Sequence, residues 1–187
     1  MQEFSVIISC RNGAARLPTT LAHLIAQEPL MTPWEVLLID NASTDGSAAV
    51  ASSCWRNGPA PLRIIDESRP GVRYGRERGL TEANYEFLGF VDDDNWVARD
   101  GVSAAYDIIS SDPSLGAVGS IRTPACEVSL PAWFEKFHSI YARFSLTMIL
   151  SRSGNLYSTF QLPACMYVRR LGISLFRTDS ASSSPVG

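Results

Sequence analysis

The stretch Phe87-Leu-Gly-Phe-Val-Asp-Asp-Asp-Asn-Trp96 decides the fold. Phe87 to Val91 is a short apolar run with aromatic and β-branched residues, the length of a buried strand, and it stops abruptly at three carboxylates. Charge at the carboxyl end of a buried parallel strand is where open α/β sheets hold their ligands. Adjacent carboxylates repel one another, and a bound divalent cation relieves that repulsion. Asp92 and Asp94 can aim oxygens at one ion from a turn. All-oxygen ligation selects Mg²⁺ or Mn²⁺ over zinc, and Mg²⁺ characteristically combines one or two carboxylates with substrate phosphates. The competing reading is a solvated acidic turn, and the surrounding chain decides between them.

Upstream, strand and helix patterns alternate. Phe4 to Ser9 reads as a buried strand, followed by a Cys-Arg-Asn-Gly turn and a helix from about Ala14 to Gln27 with Leu17, Leu21, Leu24 and Ile25 as its apolar stripe. Pro18 is tolerated there only in the first turn. Trp34 to Ile39 is a second strand ending at Asp40. Asn41-Ala-Ser-Thr-Asp-Gly46 is rich in turn and cap residues and leads into a helix reaching about Arg56. Leu62 to Asp66 is a third strand, and a helix near Arg73–Asn84 delivers the chain to the triplet. Such alternation implies parallel strands with right-handed crossovers. Downstream, Asp100 is placed to cap a helix ending at Asp112-Pro113, and Leu115 to Ile121 is a further strand candidate.

Past residue 121 the pattern changes. Apolar residues at 133, 134, 137, 140, 141 and 144 form a helical stripe, aromatic and mildly basic, suited to core packing or to an acceptor or membrane surface. Phe160 to Arg170 reads as a strand. Residues 178–187 have the composition of a disordered tail. The expected organisation is one domain over 1–177, with a ligand-binding part at about 1–120 and a partial second part at about 121–177.

Composition narrows the function. At 187 residues and 45% apolar content, the chain suits one globular domain with a sizeable core. No apolar run approaches the roughly 18 residues of a membrane span, and no signal peptide is evident. The four cysteines are scattered without a C-x-x-C pair, which argues against zinc and for reduced thiols in a cytoplasmic protein. With only His23 and His138, His-based metal sites and a His-dependent triad are disfavoured. His23 is expected to be a surface or packing residue. Residues 1–120 carry 9 basic and 16 acidic side chains, against 7 and 3 over 121–187. An acidic first part excludes an ordinary nucleic-acid binder and tolerates a metal-bridged phosphate ligand.

Three strand ends now converge. Ser9-Cys-Arg-Asn12, Asp40 and Asp92–Asp94 follow strands that a parallel sheet aligns at one edge, so they face one crevice. There Asp40 can accept a hydrogen bond from a base N–H, and an ion held by Asp92 and Asp94 can hold a pyrophosphate. Arg73, Arg76 and Arg78 can flank the anion from the preceding helix. Together these make a nucleotide-diphosphate site without a P-loop.

The sequence resembles family 2 glycosyltransferases of the GT-A fold. The resemblance rests on Ser5-Val-Ile-Ile-Ser-Cys-Arg-Asn12, Glu35-Val-Leu-Leu-Ile-Asp-Asn-Ala-Ser-Thr-Asp-Gly46, Arg69-Pro-Gly-Val-Arg-Tyr-Gly-Arg-Glu-Arg-Gly79 and Phe90-Val-Asp-Asp-Asp-Asn95, in family order over about residues 4–120. It implies a mostly parallel sheet flanked by helices, with a Rossmann-like nucleotide-binding half. It also implies inverting transfer of a sugar from a UDP-, GDP- or dTDP-linked donor to a sugar or lipid-linked hydroxyl, as in polysaccharide biosynthesis at the cell envelope. By the same resemblance Ser9, Arg11 and Asp40 contact the nucleobase. Asp92 and Asp94 frame a DxD motif around Mg²⁺ or Mn²⁺, with Asp93 near the donor. The place expected is the cytoplasm, at the inner membrane face where contact is peripheral.

The chain also departs from the family pattern. Glu77 stands where the family usually carries Asn, and Pro163-Ala-Cys-Met166 replaces a glycine-rich acceptor segment. The family's general base lies in a later Glu-Asp motif that nothing here matches: after Glu135 the sequence holds one carboxylate, Asp179. The catalytic base is therefore unassigned. The alternative expectation is a truncated, inactive nucleotide-binding remnant. Two other classes fit less well. A nucleotidyltransferase needs a glycine-rich loop after its first strand, where this chain has Cys10-Arg-Asn-Gly-Ala-Ala-Arg16. A phospho-receiver module puts its acidic pair after the first strand, where this chain has Ser-Cys-Arg.

Overall fold

The computed structural model describes residues 4–119, 129, 131, 133, 136 and 165–169. The readings made on residues 121–164 and 170–187 lie outside those residues, apart from these isolated positions. Strand β1 (Phe4–Cys10) is at the centre, with β2 (Trp34–Asp40) and β3 (Leu62–Asp66) added in turn on one side. The chain then crosses back, and β4 (Phe87–Asp92) pairs with the free side of β1. These four strands are parallel. β5 (Ala117–Gly119) and β6 (Cys165–Arg169) complete the order β3-β2-β1-β4-β6-β5, with β6 antiparallel to both neighbours. The sheet is thus mostly parallel, as the alternating pattern implies, and the reversal of strand order falls between β1 and β4.

Residue parity distributes the core. Phe4, Val6, Ile8 and Cys10 of β1 face one side, where they meet Leu17, Leu21 and Leu24 of α1 (Leu17–Ile25). Ala51 of α2 (Ser47–Cys54) and Val102, Ala105 and Ile109 of α4 (Gly101–Ser111) join the same cluster. Ile7, Leu37, Ile39, Leu88 and Phe90 face the other side, under Leu80 of α3 (Val72–Glu82). Burial on both faces explains why the central strands read as continuous apolar runs rather than alternating ones.

α3 sits close to the sheet because it offers glycine at the contact. A Cβ at Gly75 would overlap Ser9 Oγ, and one at Gly79 would overlap Ile7 Cγ2. With those two positions bare, the helix lies directly on β1, next to the end that carries Ser9.

Two helix starts differ from the sequence reading. α1 begins at Leu17 rather than Ala14, because the Arg16 and Leu17 amides both turn back to the Gly13 carbonyl (2.9 Å each). Asp100 does precede α4, yet its side chain makes no capping bond; Gln27 Oε1 accepts the Val102 N–H at 3.0 Å instead. The same Gln27 donates to the Ala98 carbonyl at 2.6 Å, so α1 and α4 are joined through one buried amide. His23 is a packing residue: its ring lies 5.6 Å from that of Trp96 and nearly parallel to it. Among the described residues no helix is long and apolar enough to cross a membrane.

Candidate active site

Strand register brings the predicted residues to one edge. Ser9 lies opposite Asp92 across the β1–β4 pair, and Cys10 lies opposite Asp40 across β1–β2. This edge is the carboxyl end of the parallel strands at the point where strand order reverses, the usual ligand crevice of an open α/β sheet.

The rim is braced by side chains that look in the sequence like ordinary turn formers. The Asn12 amide donates to Ser43 Oγ at 3.0 Å, Gly13 to Ser47 Oγ at 2.9 Å and Ala14 to Asp45 Oδ2 at 2.9 Å. In return Asn12 Oδ1 accepts the Thr44 N–H at 2.8 Å. The loops after β1 and β2 therefore form one cross-linked unit. Asn12 (φ 51°) and Ala42 (φ 56°) both carry positive φ within it, a conformation that non-glycine residues adopt at a cost and that gathers at functional sites.

Asp40 is half-buried, and its Oδ1 accepts the Ser43 N–H at 3.1 Å. Next to it, Asn41 is buried and satisfied at both ends. Its Oδ1 accepts from Gly71 N–H and its Nδ2 donates to the Arg69 carbonyl, each at 2.7 Å. Asn41 thereby ties the β2 end to the loop entering α3. That loop is stiffened again by Glu67, whose carboxylate holds Arg69 bidentately (2.9 Å for both bonds) while the guanidinium lies over Tyr74 at 4.6 Å. The Arg69 hydrogen bonds hold the Glu67 carboxyl down to about 2.

The acidic triplet is flanked by arginines from both faces. Arg76 of α3 meets Asp92 Oδ1 at 3.0 Å, and Arg16, just ahead of α1, meets Asp93 Oδ2 at 2.7 Å. Burial raises the Asp92 pKa, Arg76 opposes that shift, and the charges of Asp94 and Asp93 add to it. Asp94 is exposed and makes no hydrogen bond or ion pair among the described residues. Burial and the neighbouring Asp93 push the Cys10 thiol up to about 12, so it stays protonated and is no nucleophile.

Of the three arginines read as flanking the anion, Arg76 alone pairs with the triplet. Arg73 is held by Glu77 at 2.8 Å and Arg78 by Glu82 at 3.0 Å, both as i,i+4 pairs on α3. Glu77, the departure from the family pattern, therefore occupies Arg73. Arg11 is exposed on the loop after β1. Sequence reasoning missed Arg16 and Asn41. The signal for Arg16 was its place at the entry to a helix that starts from the crevice edge. Asn41 is hidden because an Asn after an Asp reads as a turn residue.

Among the described residues no group of three or more His, Cys, Asp or Glu side chains is arranged to hold a metal. Two carboxylates, one of them unpaired, suit an ion that completes its shell with phosphate oxygens and water, not a closed protein cage. The donor set fits Mg²⁺ or Mn²⁺ on those terms.

The profile of Glycosyl transferase family 2 matches residues 5–173. The chain belongs to that family. The uncharacterized glycosyltransferase YfnE of Bacillus subtilis (strain 168) is 36% identical over 99 residues, 53% of this chain and 25% of the relative. The cholesterol galactosyltransferase of Borreliella burgdorferi is 29% identical over 110 residues, 59% of this chain and 30% of the relative. Among solved structures, the mannosyltransferase PcManGT from Pyrobaculum calidifontis, in complex with GDP-Man and Mn²⁺, has a TM-score of 0.60 at 27% identity, over 65% of this chain and 36% of that one. S. aureus TarS 1-349 in complex with UDP-GlcNAc has a TM-score of 0.58 at 25% identity, over 70% of this chain and 37% of that one. The family 2 chain thus has a GT-A fold, and it spans between 19% and 30% of the length of the curated relatives it matches.

Proposed function

We propose that this chain binds a nucleotide-diphospho-sugar and belongs to an enzyme moving its hexose-type sugar to a hydroxyl acceptor with inversion, assisted by Mg²⁺ or Mn²⁺. The observation that carries the reading is the meeting of Ser9, Asp40 and Asp92 on one sheet edge, with the exposed carboxylate of Asp94 left without hydrogen bond or ion pair among the described residues. The complexes of PcManGT with GDP-Man and Mn²⁺, and of TarS with UDP-GlcNAc, support it.

In this reading Asp40 accepts a base N–H while Ser9 and Arg11 line the base side. Asp92 and Asp94 would hold the ion, which when bound offsets charge growing on the departing diphosphate. Arg76 adds positive charge beside the phosphates. The rigid rim of Asn12, Asn41 and Glu67 keeps these groups in place before the donor arrives, so little ordering remains for binding. The acceptor hydroxyl must pass its proton to a base, a role to which no described residue is assigned. A relative named poly-beta-1,6-N-acetyl-D-glucosamine synthase supports a polysaccharide acceptor; the inner membrane face is our proposal for where it is met.

The test is calorimetry of UDP binding with Mn²⁺ and in EDTA. Wild type should bind with Mn²⁺, and Asp94→Ala should weaken that binding by at least about tenfold, about 1.4 kcal/mol. Equal wild-type affinity in EDTA would refute the shared ion. Transfer assays across UDP-, GDP- and dTDP-sugars then separate an active transferase from a remnant that binds nucleotide without turnover.

A further inference from the structure

The carboxylates of Asp92 and Asp93 are drawn to opposite faces of the sheet. Asp92 pairs with Arg76 of α3, and Asp93 pairs with Arg16 at the head of α1. Those helices cover opposite faces, since α1 packs on Phe4, Val6 and Ile8 while α3 packs on Ile7. The split follows from side chains alternating at a strand end.

Asp93 is held at more points than the ion pair. Thr20 Oγ1 donates to its main-chain carbonyl at 2.9 Å. Its Oδ2 lies so close over Gly13 that a Cβ there would overlap both it and Cys10 Sγ. The side chain is 13% exposed, whereas the next residue, Asp94, is open to solvent. A carboxylate enclosed in this way is committed to the protein and does not reach into the crevice.

We propose that Arg16 is a positioning residue for the donor site. By clamping Asp93 against α1 it fixes the backbone of the triplet, so that Asp92 and Asp94 present their oxygens to the ion and diphosphate. Asp93 itself touches neither. This rests on the proposed donor site and changes the role expected for Asp93 from donor contact to anchor.

The experiment is UDP titration of the full chain, with Mn²⁺ and in EDTA, for wild type, Arg16→Ala, Asp93→Asn and the double variant, with thermal midpoints recorded alongside. Each single substitution should weaken Mn²⁺-dependent binding by about tenfold or more, the scale on which partners of metal-ligating groups act. Affinity in EDTA should stay at the wild-type value. The double variant should be no worse than either single one, because the two residues act as a pair. Arg16→Lys, which keeps the charge, should recover part of the loss. Unchanged Mn²⁺-dependent affinity in Arg16→Ala and Asp93→Asn would overturn the proposal. So would an Asp93→Asn loss that appears equally in EDTA and is not shared by Arg16→Ala, since Asp93 would then contact the nucleotide. Wild type that binds no UDP in either buffer would overturn the donor site itself, a result distinguishable from both.

Discussion

Replacing Gly79 by Ala tests how the site is supported rather than what it binds. The added Cβ would overlap Ile7 Cγ2 and lie 3.4 Å from Ile7 Cδ1 and Cγ1. Ile7 is 1% exposed, and as a β-branched residue on a central strand it has few rotamers to retreat into. The overlap must be relieved by lifting α3 from the sheet, at the upper end of overpacking costs, about 3 kcal/mol. Alanine in a helix interior returns about 1 kcal/mol relative to glycine. The net is a loss of about 2 kcal/mol, and at about 2–4 °C per kcal/mol for a chain of this size, a fall of about 4–8 °C in Tm. Lifting α3 also draws Arg76 away from Asp92, so Mn²⁺-dependent UDP affinity should fall with stability. Scanning calorimetry and the UDP titration read the two effects. Adding Ile7→Ala should cost less in the Gly79→Ala background than in wild type, because the overlapping methyl is then gone. A Tm equal to or above wild type for Gly79→Ala would refute the close seating of α3 on β1.

Asp40→Asn should lower UDP affinity by about tenfold while leaving the Mn²⁺ requirement intact, because one base contact is worth roughly that much; wild-type affinity would show that Asp40 only closes the turn to Ser43. Asn41→Ala strands a partly buried N–H at Gly71 and a carbonyl at Arg69; because a fully buried group costs about 1–3 kcal/mol and these two are partly open to water, urea unfolding should show a loss of about 1–3 kcal/mol in all. Glu67 has a folded-state pKa lowered from 4.5 to about 2, so its stabilising pairing with Arg69 is fully present above pH 4.5 and lost as pH falls towards 2. The Tm advantage of wild type over Glu67→Gln should therefore be constant above about pH 5 and shrink below it; an advantage that persists unchanged at the acid end would show that the carboxylate charge is not its source.

The sequence showed the fold through what is local. Val36 to Ile39 or Phe87 to Val91 can be read as strands because both faces are buried and every residue is apolar. The convergence of Ser9, Asp40 and Asp92 followed from parallel topology alone. The long-range polar partners could not be read. Nothing in the spacing of Asn12, Ser43 and Ser47 distinguishes a cap from a brace thirty residues away, because one hydroxyl or amide serves either purpose with equal chemistry. Arg73 and Arg76 look equivalent in the sequence, and they differ because Glu77 sits one helical turn after Arg73 and engages it. The helix start at Leu17 was misplaced for a similar reason: Ala14 favours helix, but the Gly13 carbonyl closes a turn that ends the loop first.

The two glycine approaches and the two arginine pairs work together as one device. A triplet of carboxylates at a sheet edge is electrostatically unfavourable: burial is the main cause of the raised Asp92 pKa, and the charges of Asp94 and Asp93 add to it. Gly13 lets Asp93 turn away to Arg16, and Gly75 with Gly79 lets α3 sit low enough for Arg76 to reach Asp92. Two of the three negative charges are compensated within the protein, and they are compensated from opposite faces, so neither arginine blocks the edge itself. The charge left over is Asp94, at the solvent side. On the proposed function, an edge with one uncompensated carboxylate beside one partly compensated neighbour would attract a divalent cation without holding it in a closed cage. A cation held that way would keep coordination positions for phosphate oxygens, as the proposed donor site requires if the diphosphate is to leave after transfer.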